Sequence, residues 1–148
     1  MNKDNEISEL LDVYYKSWFK INDSYRVWAK KHNIQDTTLF TLYVINQSSS
    51  CCTQNKIRDK LSLPKQTVSL ILSELEKKRY ISRIVNPKDR RNKIVRFTKE
   101  GSQYANSILE KLKLSESEAF KNISEKQKKN MIENFRMLSD LLDKSLSK

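Results

Sequence analysis

Residues 53–101 read TQNKIRDKLSLPKQTVSLILSELEKKRYISRIVNPKDRRNKIVRFTKEG, and this stretch decides the fold. Thr53 stands where a helix N-cap would sit, and Ile57 and Leu61 follow on one face, four residues apart. Ser62, Leu63 and Pro64 separate this short segment from a longer one. Pro64 suits a first helical turn, where its missing N–H costs nothing. Val68, Ile71, Leu72 and Leu75 then recur at the spacing of a buried helical stripe. Two helices joined by a tight turn, the second longer and polar at its start, form a helix-turn-helix pattern.

After Tyr80 the period changes from helical to alternating. Ile81, Ile84 and Val85 precede the loop NPKDRRN, and Ile94, Val95 and Phe97 follow it. Asn86-Pro87 is a turn starter, so the segment predicts an antiparallel hairpin with a charged tip. Thr98, Glu100 and Gly101, the only glycine, open another long helix.

Outward from this centre the chain reads as helices. Leu10 or Leu11, Tyr14, Trp18, Ile21 and Tyr25 or Trp28 form one stripe of a long amphipathic helix. Asp36 is placed as an N-cap before the apolar run Leu39 to Ile45. Residues 48–52, SSSCC, read as a break with room for one short strand. Ser124 and Gln127 have capping-box spacing and begin the last helix. There Met131 or Ile132, Phe135, Leu138, Leu142 and Leu146 form a stripe with no evident partner in a small domain, which points to a helical dimer. The expected class is mainly α with a small β-hairpin.

Bulk properties narrow the function. The 148 residues suit one domain with a real core, and one Gly and two Pro favour long helices. A net charge of +11 favours polyanions, with nucleic acid or an anionic membrane surface as the usual partners. No apolar run approaches the roughly 20 residues that span a bilayer. The acidic N-terminal stretch has no apolar signal core, so a cytoplasmic chain with no membrane partner is expected. Cys51 and Cys52 are adjacent and poorly placed to bridge each other. With a lone His32 and no CxxC, no metal or cofactor is expected. Neither a Ser-His-Asp set nor a phosphate loop is visible, so an enzyme is not expected.

The order of elements and the residues together resemble the MarR family of winged helix-turn-helix transcription regulators, from about Leu10 to Leu146. The family's wing signature, Asp-x-Arg, an alternating strand and Leu-Thr-x-x-Gly, is matched by Asp89, Arg91, Val95, Phe97, Thr98 and Gly101, with Phe97 in place of Leu. Arg79 stands where a Gly is common, and Leu70 where many members carry an Arg. The resemblance implies a dimerisation helix over 1–35, a winged helix-turn-helix lobe over 36–98 and further dimerisation helices over 99–148. It implies a homodimer on a pseudo-palindromic DNA operator, acting as a repressor released by a small aromatic or phenolic ligand.

Within that frame, Lys65, Gln66, Thr67 and Ser69 begin the helix that would enter the major groove and read base edges. Thr53, Gln54 and Asn55 lie at a helix N-terminus suited to phosphate. Lys88, Arg90, Arg91 and Lys93 form the wing tip, which suits a minor groove, and the resemblance gives Arg91 the inserting role. Asp89 is expected to accept hydrogen bonds from a nearby Arg and hold the loop in shape. The first helix's aromatics read either as core and dimer interface or, by resemblance, as part of an effector pocket lined by Tyr15, Trp18, Arg26 and Tyr43. Cys51 and Cys52 read as structural or as a redox pair. A basic nucleoid-type or RNA-binding protein is the alternative function.

Overall fold

The structure, a computed structural model, describes residues 2–48 and 51–148. Its elements in chain order are α1 (Lys3–Lys31), α2 (Asp36–Gln47), β1 (Cys52–Thr53), α3 (Gln54–Leu61), α4 (Lys65–Lys77), β2 (Ile81–Ile84), β3 (Ile94–Phe97), α5 (Lys99–Phe120) and α6 (Glu125–Leu146). The chain divides into two compact units inside α5, one ending at Asn106 and the other starting at Ser107.

In the first unit, the strands form one antiparallel sheet in the order β1-β3-β2. Ile81 faces Phe97 and Ile84 faces Ile94 across the hairpin, while Cys52 faces Val95 on the other side of β3. The expected short strand is thus Cys52–Thr53, and the rest of the expected break falls partly on residues 49 and 50, outside the described residues. Leu39, Leu42, Ile57, Val68, Leu72 and Val95 are completely or almost completely buried and make the core under the sheet and α2–α4. Thr41 is the one buried polar residue among the described residues, and its hydroxyl donates to the Thr37 carbonyl at 2.7 Å.

Two helix starts differ from expectation by one residue. Gln35, not Asp36, is the N-cap of α2, and the Asp36 carboxylate accepts from the Thr37 N–H within the first turn. Pro64 is the N-cap of α4 with φ −60°, just ahead of the helix, and its carbonyl accepts from the Val68 N–H. In the second unit, α6 begins with the expected capping box: Ser124 Oγ accepts from Gln127 N–H, and Gln127 Oε1 accepts from Ser124 N–H. No residue of α6 is buried.

Candidate nucleic-acid interface

The outer face of α4 is set by its inner one. Val68, Ile71, Leu72 and Leu75 anchor the helix in the core. At about 100° per residue, Gln66, Ser69, Leu70 and Ser73 fall on the opposite side, and Lys65 lies on the flank next to Ser69. Lys65, Gln66 and Leu70 are exposed there, and Ser69 is half-buried. Thr67 is half-buried on the opposite flank of α4 from Lys65, so these two residues border the outer face from either side.

The start of α3 differs from the anion-ready terminus expected. Thr53 Oγ1 caps the Lys56 N–H at 3.2 Å, as an N-cap should. The Gln54 N–H donates to the Lys93 carbonyl at 3.1 Å, and the Asn55 N–H donates to Asn92 Oδ1 at 3.1 Å. The first three N–H groups of the helix are therefore already satisfied, two of them by the base of the wing. A phosphate at this terminus would meet the side chains of Gln54 and Asn55 and not a cluster of free donors. The physical reason is tertiary: a residue 37 positions later fills the site.

The wing tip is built from two consecutive turns. The Asp89 N–H donates to the Asn86 carbonyl, and the Asn92 N–H donates to the Asp89 carbonyl, both at 3.1 Å. Each turn opens with an acceptor side chain: Asn86 Oδ1 takes the Lys88 N–H, and Asp89 Oδ1 takes the Arg91 N–H, again both at 3.1 Å. Asn and Asp favour such turns because their short side chains bond the backbone two residues on. The Asp89 carboxylate thus bonds to the Arg91 backbone N–H, where a bond from an Arg guanidinium was expected. Lys88, Arg90 and Arg91 are exposed and Lys93 is half-buried; among the described residues none of the four is in an ion pair.

The wing stem is tied to α4 by a residue that pattern reading passed over. Arg83 on β2 donates from Nε to Glu76 Oε2 at 3.1 Å and from its terminal nitrogen to Ser73 Oγ at 3.2 Å. The signal available in sequence was only an Arg in an alternating strand, with its partners seven and ten residues earlier.

The junction of α4, β2 and α5 explains the Thr-x-x-Gly motif. Arg79 has φ 61° in the left-handed region, and the Tyr80 N–H reaches back to the Leu75 carbonyl to close the end of α4. Thr98 Oγ1 donates to the Arg79 carbonyl at 2.6 Å and accepts from the Gly101 N–H at 3.0 Å. A Cβ on residue 101 would lie 1.7 Å from the Tyr80 carbonyl oxygen, so only glycine admits this close approach.

A cleft of about 880 Å³ opens beside α4, with Arg26 and Lys30 of α1, Asp36, Leu70, Glu74, Lys78, Tyr80 and Tyr104 on its walls. Tyr80 and Tyr104 stack with centroids 4.6 Å apart, and burial together with Tyr80 pushes the Tyr104 hydroxyl above its ordinary pKa. Of the four residues expected to line an effector pocket, only Arg26 lies on this cleft, paired with Asp23. Tyr15 and Trp18 belong instead to an exposed aromatic cluster on α1 with Tyr14 and Phe19, and Tyr43 is exposed on α2. Tyr80 and Tyr104 come from a loop and from a helix far along the chain, so no single segment signals that they stack.

Cys51 is exposed and Cys52 is buried. Burial raises the Cys52 thiol above its ordinary pKa, against the lowering by Ser48 and Lys56, which disfavours the reactive thiolate. Among the described residues no group of three or more His, Cys, Asp or Glu could hold a metal ion, and no helix is long and apolar enough to cross a membrane.

Two helices at a tight turn, a reading face and a hairpin fixed beside it define a winged helix-turn-helix protein. Residues 32–92 match the MarR family. NMB1585, a MarR family regulator from Neisseria meningitidis, is similar at 22% identity over 99% of this chain and 98% of its own, with a TM-score of 0.74. MepR of Staphylococcus aureus is similar at 25% identity, in its DNA-binding conformation over 89% of this chain and 98% of its own with a TM-score of 0.73, and in a complex with DNA over 87% and 95% with 0.71. Comparison with curated proteins gives no match. The chain thus matches the MarR family over residues 32–92, and its fold is the winged helix-turn-helix fold of these regulators.

Proposed function

We propose that the chain is a homodimeric, sequence-specific DNA-binding transcription regulator, a repressor released by a small aromatic or phenolic ligand. The observation that carries the DNA reading is the wing's attachment to both helices of the pair, through Asn92 and Lys93 to α3 and through Arg83 to α4. A reading helix and a cationic tip held in one frame can engage adjacent grooves together. Residues 36–98 hold 13 of the 29 Lys and Arg but only 5 of the 18 Asp and Glu, so most of the net positive charge sits in this lobe. The likeness to MepR, solved on DNA, supports the same reading.

Dimerisation rests on α6, whose Met131, Ile132, Phe135, Leu138 and Leu141 are all exposed on a single chain, and on the exposed apolar residues of α1. Water-exposed apolar area of that extent favours a covering partner, and a second copy of the same helices supplies one. Release by a ligand rests on the cleft beside α4: its stacked tyrosines offer aromatic surface and Lys30 and Lys78 offer positive charge. A ligand there shifts DNA binding only through unequal affinity for the two states of the protein.

Selection of duplexes from a random pool, followed by titration against salt, tests the reading. A regulator returns a discrete two-fold site, and about 6–10 phosphate contacts lower affinity by about 10³–10⁵-fold between about 50 and 200 mM salt. A nearly flat salt response, or uniform coating of any duplex, contradicts it. Repeating the titration with small aromatic acids tests the release.

A further inference from the structure

The outer face of α4 carries an apolar residue at its centre. Leu70 is 69% exposed, one helical turn beyond Gln66 and beside Ser69 and Ser73. From Gln66 to Ser73 the stripe is about 10 Å long, comparable to the width of a major groove. Between Lys65 and Lys77 the helix has no Lys or Arg, and its two acids, Glu74 and Glu76, are paired with Lys77 and Arg83. Phosphate attraction is thus left to the wing and the helix ends, and the middle of the face is uncharged.

An uncharged face can still discriminate bases. In the major groove the thymine C5-methyl is the one apolar mark, and an aliphatic side chain recognises it by excluding water between the two. A single exposed Leu on an ordinary surface needs no explanation. Here it stands between a Gln able to pair with adenine and two serines, on the side opposite the core stripe.

Resting on the DNA-binding reading above, we infer that Leu70 is a specificity-determining residue that reads a thymine methyl near the middle of each half-site. Gln66 beside it pairs with adenine, which makes the half-site centre A·T-rich. Leu70 also borders the cleft, so an occupant of the cleft would touch the residue that reads the methyl.

The test takes the duplex selected from the random pool and replaces each thymine in turn by deoxyuridine, which removes only the methyl. Wild-type affinity should fall about fourfold at one thymine per half-site, the worth of one buried methyl group. Leu70→Ala should bind the parent duplex more weakly and lose that sensitivity, while Leu70→Met should keep it. Equal sensitivity in wild type and Leu70→Ala, or no sensitive thymine in a duplex that still binds tightly, overturns the inference and leaves the regulator reading standing. A chain that selects no duplex overturns both.

Discussion

The two parts of the molecule that would meet DNA are held in place by different physics. Helix α4 is positioned chiefly by burial: its inner stripe is in the core, and the Arg83 bond to Ser73 only adds to that hold. The wing tip has no core beneath it. Its cations are carried on a backbone shaped by Asn86 and Asp89 and pinned by Asn92 to the start of α3. Apolar truncations should therefore damage the reading helix through global stability, whereas polar substitutions should damage the wing locally.

The largest expected effect is on the buried side. Leu72→Ala leaves a cavity at a fully buried site and should cost about 2–5 kcal/mol in denaturant unfolding. A loss of a few tenths would mean that α4 is not anchored by its core stripe. Next comes the junction between the two regions, where Gly101→Ala forces backbone apart at Tyr80. It should cost about 1–3 kcal/mol by overpacking. The same variant should shift the near-ultraviolet signal of the stacked Tyr80 and Tyr104.

In the wing, charge and hydrogen bonding can be separated. Asp89→Ala removes the acceptor for the Arg91 N–H, a bond worth about 0.5–1.5 kcal/mol, and should lower DNA affinity by about two- to tenfold while lowering the melting temperature by only a few degrees. Asp89→Asn keeps an acceptor oxygen and should bind as well as wild type or better. If Asn weakens binding as much as Ala, the carboxylate charge matters and the turn explanation is wrong. The smallest effect is a gain: Arg79→Gly relieves a left-handed residue at the end of α4 and should add about 1 kcal/mol of stability. No gain would indicate that the Arg79 side chain contributes as much as its strain costs.

Much of this frame was legible in residue spacing. The stripe Val68, Ile71, Leu72 and Leu75 announced α4, the alternation around NPKDRRN announced the hairpin, and Ser124 with Gln127 announced the start of α6. These are local signals, and each needs only its own segment to form. What could not be read depends on segments meeting in space. Nothing near Gln54 and Asn55 says that their N–H groups will be taken by Lys93 and Asn92. The sequence shows a lone glycine after Thr98, but the need for it comes from the Tyr80 carbonyl.

The cleft shows the same limit: its aromatic wall comes from Tyr80 and Tyr104, while Tyr15, Trp18 and Tyr43 lie elsewhere. Leu70 was visible only as a missing Arg, and its exposure is what gives it meaning. The stripe on α6 has the same periodic signature as the one on α4, yet Phe135 is 67% exposed. Periodicity shows which face avoids water and does not show what covers it.

Groove-resolved footprinting of the chain on its selected duplex tests the central claim most directly. Two major-groove segments should be protected about one helical turn apart, or a multiple of it, each with minor-groove protection beside it from a wing. Loss of the minor-groove protection in Arg91→Ala, with the major-groove pattern kept, would follow from the wing's separate construction. Continuous protection without spacing, on the selected duplex and on any other, would contradict a two-fold reader with a helix in the major groove and a wing in the minor.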